Sequence, residues 1–254
     1  MRRRRIFCLL VLLLAGVCAS GCAPKRRNSA AEICQEQSFE GDGFVVCAYD
    51  SRVHELRLAS RWRGRRLRSL AELAQMTAPE AGRVRFGMNA GMFNDAGEPI
   101  GLYVERGDRQ QKLSTSSGPG NFHMLPNGVF SEDRVGVLRI ETSQSFAARA
   151  ASPYWATQSG PMLVIDDALH PNFGVNGESR VLRNGVGVRS DHLAYFVISA
   201  GPVSLGRFAR FFRDHLHCPN ALFLDGAVSS LWAPSLKRRD AGHALGPMLV
   251  VLDG

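Results

Sequence analysis

The sequence predicts an α+β fold: a single domain of mixed or antiparallel sheets with few helices. Three observations predict it. Apolar stretches are short and bounded by Gly, Pro and Asn, the pattern of brief strands joined by tight turns. Glycine is abundant, with 26 residues in a chain of 254. One stretch alone carries a long apolar pattern at helical spacing. Many strands with few helices place the chain in the α+β class.

The first segment is read as an export signal. Arg2, Arg3, Arg4 and Arg5 form a positive head, Ile6 to Val17 is apolar apart from Gly16, and Ala19-Ser20-Gly21 supplies small residues before Cys22. Charged head, apolar stretch and small residues describe a secretory signal over residues 1–21. The apolar run is well short of the about 20 residues a membrane-spanning helix needs. Ala-Ser-Gly-Cys resembles a bacterial lipobox, with Cys22 as the lipidated residue. The expected address is therefore the cell envelope, lipid-anchored at the outer membrane and facing the periplasm, because Ala23 and not Asp follows the Cys. The alternative is a soluble periplasmic protein. Residues 22–33 read as the lipid-attachment site and tether, and residues 34–254 as the domain.

Four Arg and no acid leave with the signal, so the net charge falls from +8 to +4. Much of the remaining excess sits in Arg61-Trp62-Arg63-Gly64-Arg65-Arg66-Leu67-Arg68. That segment reads as a solvated basic loop or as a patch for anionic lipid or polymer. No nucleic-acid motif is present, and no nucleic-acid partner is expected. In an oxidising compartment Cys34 and Cys47 can close a short loop, stabilising the fold by about 3 kcal/mol. Pairing of either with Cys218 stays open.

The elements follow in order. Gly43–Ala48 and Val53–Leu58 read as strands. Ser69 can cap a short helix to Met76. Arg83–Met88, Gly101–Glu105, Val135–Ile140, Met162–Ile165, Leu193–Ser199 and Ala221–Leu224 are further strands. Leu205–Leu216 is the clearest helix, capped by Ser204, with Phe208, Phe211, Phe212 and Leu216 as its buried stripe. Gly160-Pro161-Met162-Leu163-Val164 recurs as Gly246-Pro247-Met248-Leu249-Val250. The echo is read as two equivalent strand starts in one sheet.

Four Gly-rich turns carry polar side chains at strand ends. They hold Asn89 and Gly91; Gly118 to His123; Ser159 and Gly160; and Asp225, Gly226 and Ser229. Singly, each is ordinary turn chemistry. Together, in this order, Asn-Ala-Gly-Met-Phe, Pro-Ile-Gly-Leu-Tyr-Val-Glu, Gly-Asn-Phe-His, Pro-Asn-Gly-Val-Phe, Gln-Ser-Gly-Pro-Met-Leu-Val, Arg-Asn-Gly-Val-Gly-Val and Leu-Phe-Leu-Asp-Gly-Ala-Val-Ser-Ser are more specific. The chain resembles bacterial members of the phosphodiester glycosidase family, relatives of the lysosomal uncovering enzyme, over about residues 34–254. Eukaryotic members typically carry Asp-Gly-Gly-x-Ser where this chain has Asp225-Gly226-Ala227-Val228-Ser229. The resemblance implies a hydrolase acting on a sugar-1-phosphodiester, small molecule or polymer.

Such a reaction needs a carboxylate to activate water or support an oxocarbenium-like centre. Asp225 is the first candidate and Glu105 the second, with His123 as a proton carrier near neutral pH. The departing phosphate calls for Arg, a permanent bidentate donor. Arg180 and Arg189 are the favoured pair, with Arg183 beside them. Asn89, Gly91, Ser159, Gly160, Gly226 and Ser229 are the candidates for substrate binding. No His-x-x-x-His, Cys-x-x-Cys or EF-hand pattern occurs, so neither metal nor other cofactor is expected. Two rival readings use the same loops: a non-catalytic module that binds anionic glycan, and a phosphodiesterase that cuts the phosphorus–oxygen bond.

Overall fold

The computed structural model describes residues 32–254. The signal segment and Cys22 lie outside the described residues. Three sheets carry the fold, and every strand pairing within them is antiparallel. The first has seven strands in the order Cys34–Phe39, Asp42–Asp50, Leu193–Ser199, Asn184–Ser190, Asn220–Asp225, Met162–Ile165, Ala168–Leu169. The second has five: Leu138–Thr142, Gly128–Glu132, Trp155–Ser159, Tyr103–Glu105, Asp108–Gln111. The third also has five: Arg238–Arg239, Leu231–Ala233, Val84–Asn89, Met248–Asp253, His54–Ala59.

The three sheets meet around Phe196. Its ring lies 5.6 Å from Phe86 of the third sheet and 5.6 Å from Phe130 of the second. All three are fully buried. The outer face of the first sheet is covered by the Leu205–Arg210 helix, whose Ser204 Oγ accepts the Arg207 N–H. Phe44 stacks on Phe211 with centroids 4.0 Å apart. The predicted stripe of Phe208, Phe211, Phe212 and Leu216 is buried as expected. The helix does not run to Leu216 as an α-helix. From Phe211 it widens to a π turn, with the Leu216 N–H reaching the Phe211 carbonyl. Phe212 fits because Gly187 lies beneath it; a Cβ there would come within 2.6 Å of the Phe212 ring. The third sheet is covered by Leu70–Met76, capped by Ser69.

Two sequence expectations are corrected. The strand expected from Val135 begins at Leu138, because Asp133 Oδ1 accepts the N–H groups of Val135 and Val137 and folds that stretch into a turn. The two Gly-Pro echoes start strands in different sheets, Met162–Ile165 in the first and Met248–Asp253 in the third. A local turn motif does not specify the partner strand, which long-range packing selects.

Cys34 and Cys47 face each other across the first hairpin and are joined in a disulfide, with Cα atoms 4.0 Å apart. Cys218 is free and buried, and burial pushes its thiol up to about 12.

One buried acid sits in the core. Tyr49 Oη donates to Glu132 Oε2 at 2.7 Å, and Glu132 is 9% exposed. Burial lifts the Glu132 carboxyl to about 7 against the Tyr49 hydrogen bond, with Asp133 and Glu55 adding repulsion. Its native pKa lies above the unfolded value, so the folded state holds the proton more tightly. That contribution is complete below about pH 4.5 and is lost as the pH rises toward 7. Glu132→Gln keeps an acceptor for Tyr49 and removes the charge. Between pH 5 and 8 the variant should gain about 2–3 kcal/mol over the parent in urea unfolding. Parallel pH dependence in the two proteins would refute this.

Candidate active site

The apolar strand Asn220–Asp225 delivers its last residue to the end of the first sheet. Its pairing with Asn184–Ser190 shifts near that end: Phe223 faces Gly185, and Asp225 faces Asn184. The irregularity sets Asp225 and Asn184 side by side. Asn89 ends the neighbouring Val84–Asn89 strand of the third sheet. Its Oδ1 accepts the Asn184 Nδ2–H at 3.0 Å and the Ser230 N–H at 2.9 Å. With its oxygen engaged twice, Asn89 must turn Nδ2 outward, and it donates to Asp225 Oδ2 at 2.9 Å. The other carboxyl oxygen accepts the Gly226 N–H at 2.6 Å. Ser229 Oγ donates to the Gly226 carbonyl at 2.6 Å and closes the turn.

Asp225 reaches a cleft of about 300 Å3. Met92, Phe93, Ile100, Phe122 and Val228 supply apolar walls, and Asn121 and His123 a polar rim. Burial pushes the Asp225 carboxyl up to about 6, opposed by the Gly226 N–H and the Asn89 amide. A carboxylate at that value is largely charged at neutral pH yet gives and takes protons readily, as a general base requires. His123 Nδ1 lies 3.1 Å from the Ser116 carbonyl. A carbonyl can only accept, so Nδ1 carries the proton and Nε2 is the basic nitrogen of the neutral ring.

The remaining predicted residues divide by position. Asn89, Ser159 and Ser229 are buried behind the cleft. Ser159 Oγ donates to the Leu224 carbonyl at 2.9 Å, tying the second sheet to the strand that carries Asp225. Gly91 has φ +144, and a Cβ there would meet Thr157 Oγ1 at 2.8 Å. At Gly160 a Cβ would meet the Phe122 carbonyl at 2.9 Å, so this glycine lets the cleft wall seat. These five hold the site together and do not face its opening.

Glu105, Arg180 and Arg189 are not brought to the cleft. Glu105 Oε1 accepts the Ser60 N–H at 2.9 Å beside the third sheet. Arg180 is exposed and bonds to Asp42 and the Pro202 carbonyl. Arg189 donates to Tyr195 Oη and lines a larger cleft of about 470 Å3, remote from Asp225, with Arg139, Glu141, Asp166 and Asp191. Arg183 is 1% exposed and lies over Phe223 on the helix side of the first sheet. Its Nε donates to the Val203 carbonyl, and burial lowers its pKa to about 10. The arginine beside the cleft wall is Arg68, its guanidinium 5.8 Å from the centre of the Phe93 ring. Sequence reasoning missed Arg68 and the orienting role of Asn184. The only signal for Asn184 was its place in Arg-Asn-Gly-Val-Gly-Val. Among the described residues no group of three or more His, Cys, Asp or Glu side chains gathers in metal-binding geometry.

An uncharacterized protein of Escherichia coli, YigE, is 33% identical over 153 residues, 59% of this chain and 59% of that protein. The match thus spans about three-fifths of the relative's length. The catalytic domain of zebrafish N-acetylglucosamine-1-phosphodiester alpha-N-acetylglucosaminidase, auto-inhibited by its pro-peptide, superposes with TM-score 0.56 at 14% identity, over 85% of this chain and 80% of that one. A hypothetical protein from Synechocystis gives 0.54 at 15% identity, over 87% of this chain and 61% of that one. A putative exported protein from Burkholderia pseudomallei gives 0.52 at 14%, over 83% and 74%. These structures share the fold. The family signature for phosphodiester glycosidase matches residues 82–251, a span that includes Asn89 and Asn184 behind the cleft and every residue lining it, His123 and Asp225 among them. The chain belongs to the phosphodiester glycosidase family.

Proposed function

We propose that this chain is a hydrolase that cleaves the bond between an anomeric carbon and a phosphodiester oxygen in a glycan of the cell envelope. The observation that carries the reading is the seat of Asp225. Its carboxyl is oriented by Asn89 and Gly226, lifted to about 6, and placed in a cleft with apolar walls. In the proposed reaction Asp225 takes a proton from water as the water oxygen bonds to the anomeric carbon. The carbon–oxygen bond breaks, the phosphate leaves with the bonding pair, and the proton passes to the phosphomonoester or to solvent. Phosphate is a good leaving group, so neutralising its charge matters more than protonating it. Arg68 and His123 are the cationic or protonatable groups beside the cleft. Cys22 would tether the enzyme to the envelope, and the Cys34–Cys47 disulfide suits an oxidising compartment.

The test is turnover of sugar-1-phosphodiesters of both anomers in oxygen-18 water, with products read by mass spectrometry. Free sugar carrying the label, together with unlabelled phosphomonoester, is expected. Label in the phosphate would instead mean phosphorus–oxygen cleavage. Binding of the diesters with no product from folded protein would reduce the chain to a glycan-binding module.

A further inference from the structure

Residues Arg61–Trp62 and Arg65–Arg66 pair as a two-stranded hairpin, with Arg63 and Gly64 at positive φ in its turn. Trp62 packs partly buried against the third sheet's cluster, and the Arg63 guanidinium stacks 4.6 Å from its ring centre. The hairpin is thus a formed element and not a loose loop. Arg61, Arg63 and Arg65 are exposed.

The segment concentrates arginines that lack carboxylate partners. Many arginines elsewhere are matched to carboxylates, among them Arg57 to Glu55 and Glu80, Arg149 to Glu141, and Arg207 and Arg210 to Glu40. Of the five arginines from Arg61 to Arg68, only Arg66 has a carboxylate within salt-bridge reach among the described residues. The register also sets Arg61 directly opposite Arg66, a like-charge cross-strand pair that opposes hairpin formation. Glu98 offsets the Arg66 charge of that pair and leaves Arg61 unmatched.

The hairpin is continuous with the cleft. Arg66 bonds to Glu98, at the end of the turn from Asn94 that follows Phe93. Arg68 lies beside Phe93, and Phe93 and Ile100 form the cleft wall. The hairpin also lies outside residues 82–251, the span matched by the family signature.

We propose that this hairpin is the docking arm for an anionic polymer. A chain of repeated phosphodiesters, continuing from the linkage held in the cleft, runs past Phe93 and Arg68 onto Arg61, Arg63 and Arg65. The assignment of the polymer as substrate rests on the hydrolase reading; the binding of a polyanion by the hairpin does not.

The experiment compares the full chain with a triple variant, Arg61→Ala, Arg63→Ala and Arg65→Ala. These exposed positions lie outside the cleft, so the fold and the turnover of a small sugar-1-phosphodiester should not change. Inorganic polyphosphate is the polymer probe, titrated at several salt concentrations. Vesicles of phosphatidylglycerol and phosphatidylethanolamine form the second arm. The expected result is affinity for polyphosphate weaker by about tenfold or more in the variant. The slope of log affinity against log salt should fall by about 2, from three lost contacts at roughly 0.7 each on a flexible polyanion. Vesicle binding should be the same for both proteins. Equal polyphosphate binding by parent and variant overturns the proposal. Loss confined to the vesicles also overturns it and makes the hairpin a membrane contact. Turnover is scored separately: a chain that loses polyphosphate binding in the variant but hydrolyses no diester keeps the docking arm and loses the hydrolase reading.

Discussion

Asp225→Asn is expected to cut turnover of a sugar-1-phosphodiester by about 10^2- to 10^4-fold, the range associated with a positioned general base. In the parent, kcat/KM should rise with pH and reach half its plateau near pH 6, because the carboxyl must be ionised to accept a proton and burial holds it at about 6. The variant should lose that acidic limb along with the rate. Its fold should survive. The amide removes a buried charge, which favours the folded state, but it must aim Nδ2 either at the Asn89 Nδ2 or at the Gly226 N–H, both donors. These two effects oppose each other, so circular dichroism should report the parent's spectrum and a melting temperature within a few degrees. Full activity in a folded Asp225→Asn protein would remove Asp225 from the mechanism.

The second large effect is expected at Asn89, which never touches the open cleft. Its side chain accepts from Asn184 and Ser230 and donates to Asp225, all in surroundings that water does not reach from behind. Asn89→Ala leaves the Ser230 N–H without its acceptor and Asp225 Oδ2 without its donor. Buried groups left unpaired in this way cost about 1–3 kcal/mol each, so a total loss of about 2–4 kcal/mol in urea unfolding is expected. The kinetic signature separates this role from mere packing. Asn89 donates to the charged form of Asp225, so its removal must raise the Asp225 pKa further above its ordinary value. The acidic limb of kcat/KM should therefore move to higher pH. A variant that loses stability but keeps its limb in place would show that Asn89 supports the fold without orienting the carboxyl.

What was legible in the sequence follows the range of the forces involved. The Leu205–Leu216 stripe was legible because four large apolar side chains repeat at helical spacing. Asp225 was legible as the polar end of an apolar strand entering a Gly turn, and only the ordered set of motifs distinguished it from an ordinary turn residue. The family resemblance was legible as an ordered set of motifs, and the match over residues 82–251 agrees with it. The positions of the arginines were not legible. Arg183 and Asn184 are neighbours in sequence, yet one lies over Phe223 beneath the helix and the other bonds to Asn89 beside the cleft. Which of two adjacent residues faces the site is set by a register shift between Asn184 and Gly185, and no local pattern announces it. Arg68 escaped for a different reason: it reaches Phe93 across chain that folds back through the Asn94–Glu98 turn.

The strand Met248–Asp253 lies between Val84–Asn89 and His54–Ala59 in its sheet. Its first residue, Met248, pairs with Asn89 on one side and with Ala59 on the other. The consequence is temporal. A chain that emerges from its amino-terminal end exposes two apolar strands long before the strand that joins them exists. Until residue 253 is free, Asn89 has no neighbour on that side and the carboxyl it orients has no settled place. Pairings so distant along the chain form slowly and leave edges open to association in the meantime. The cleft therefore assembles last, when the carboxy-terminal strand takes its place beside Asn89.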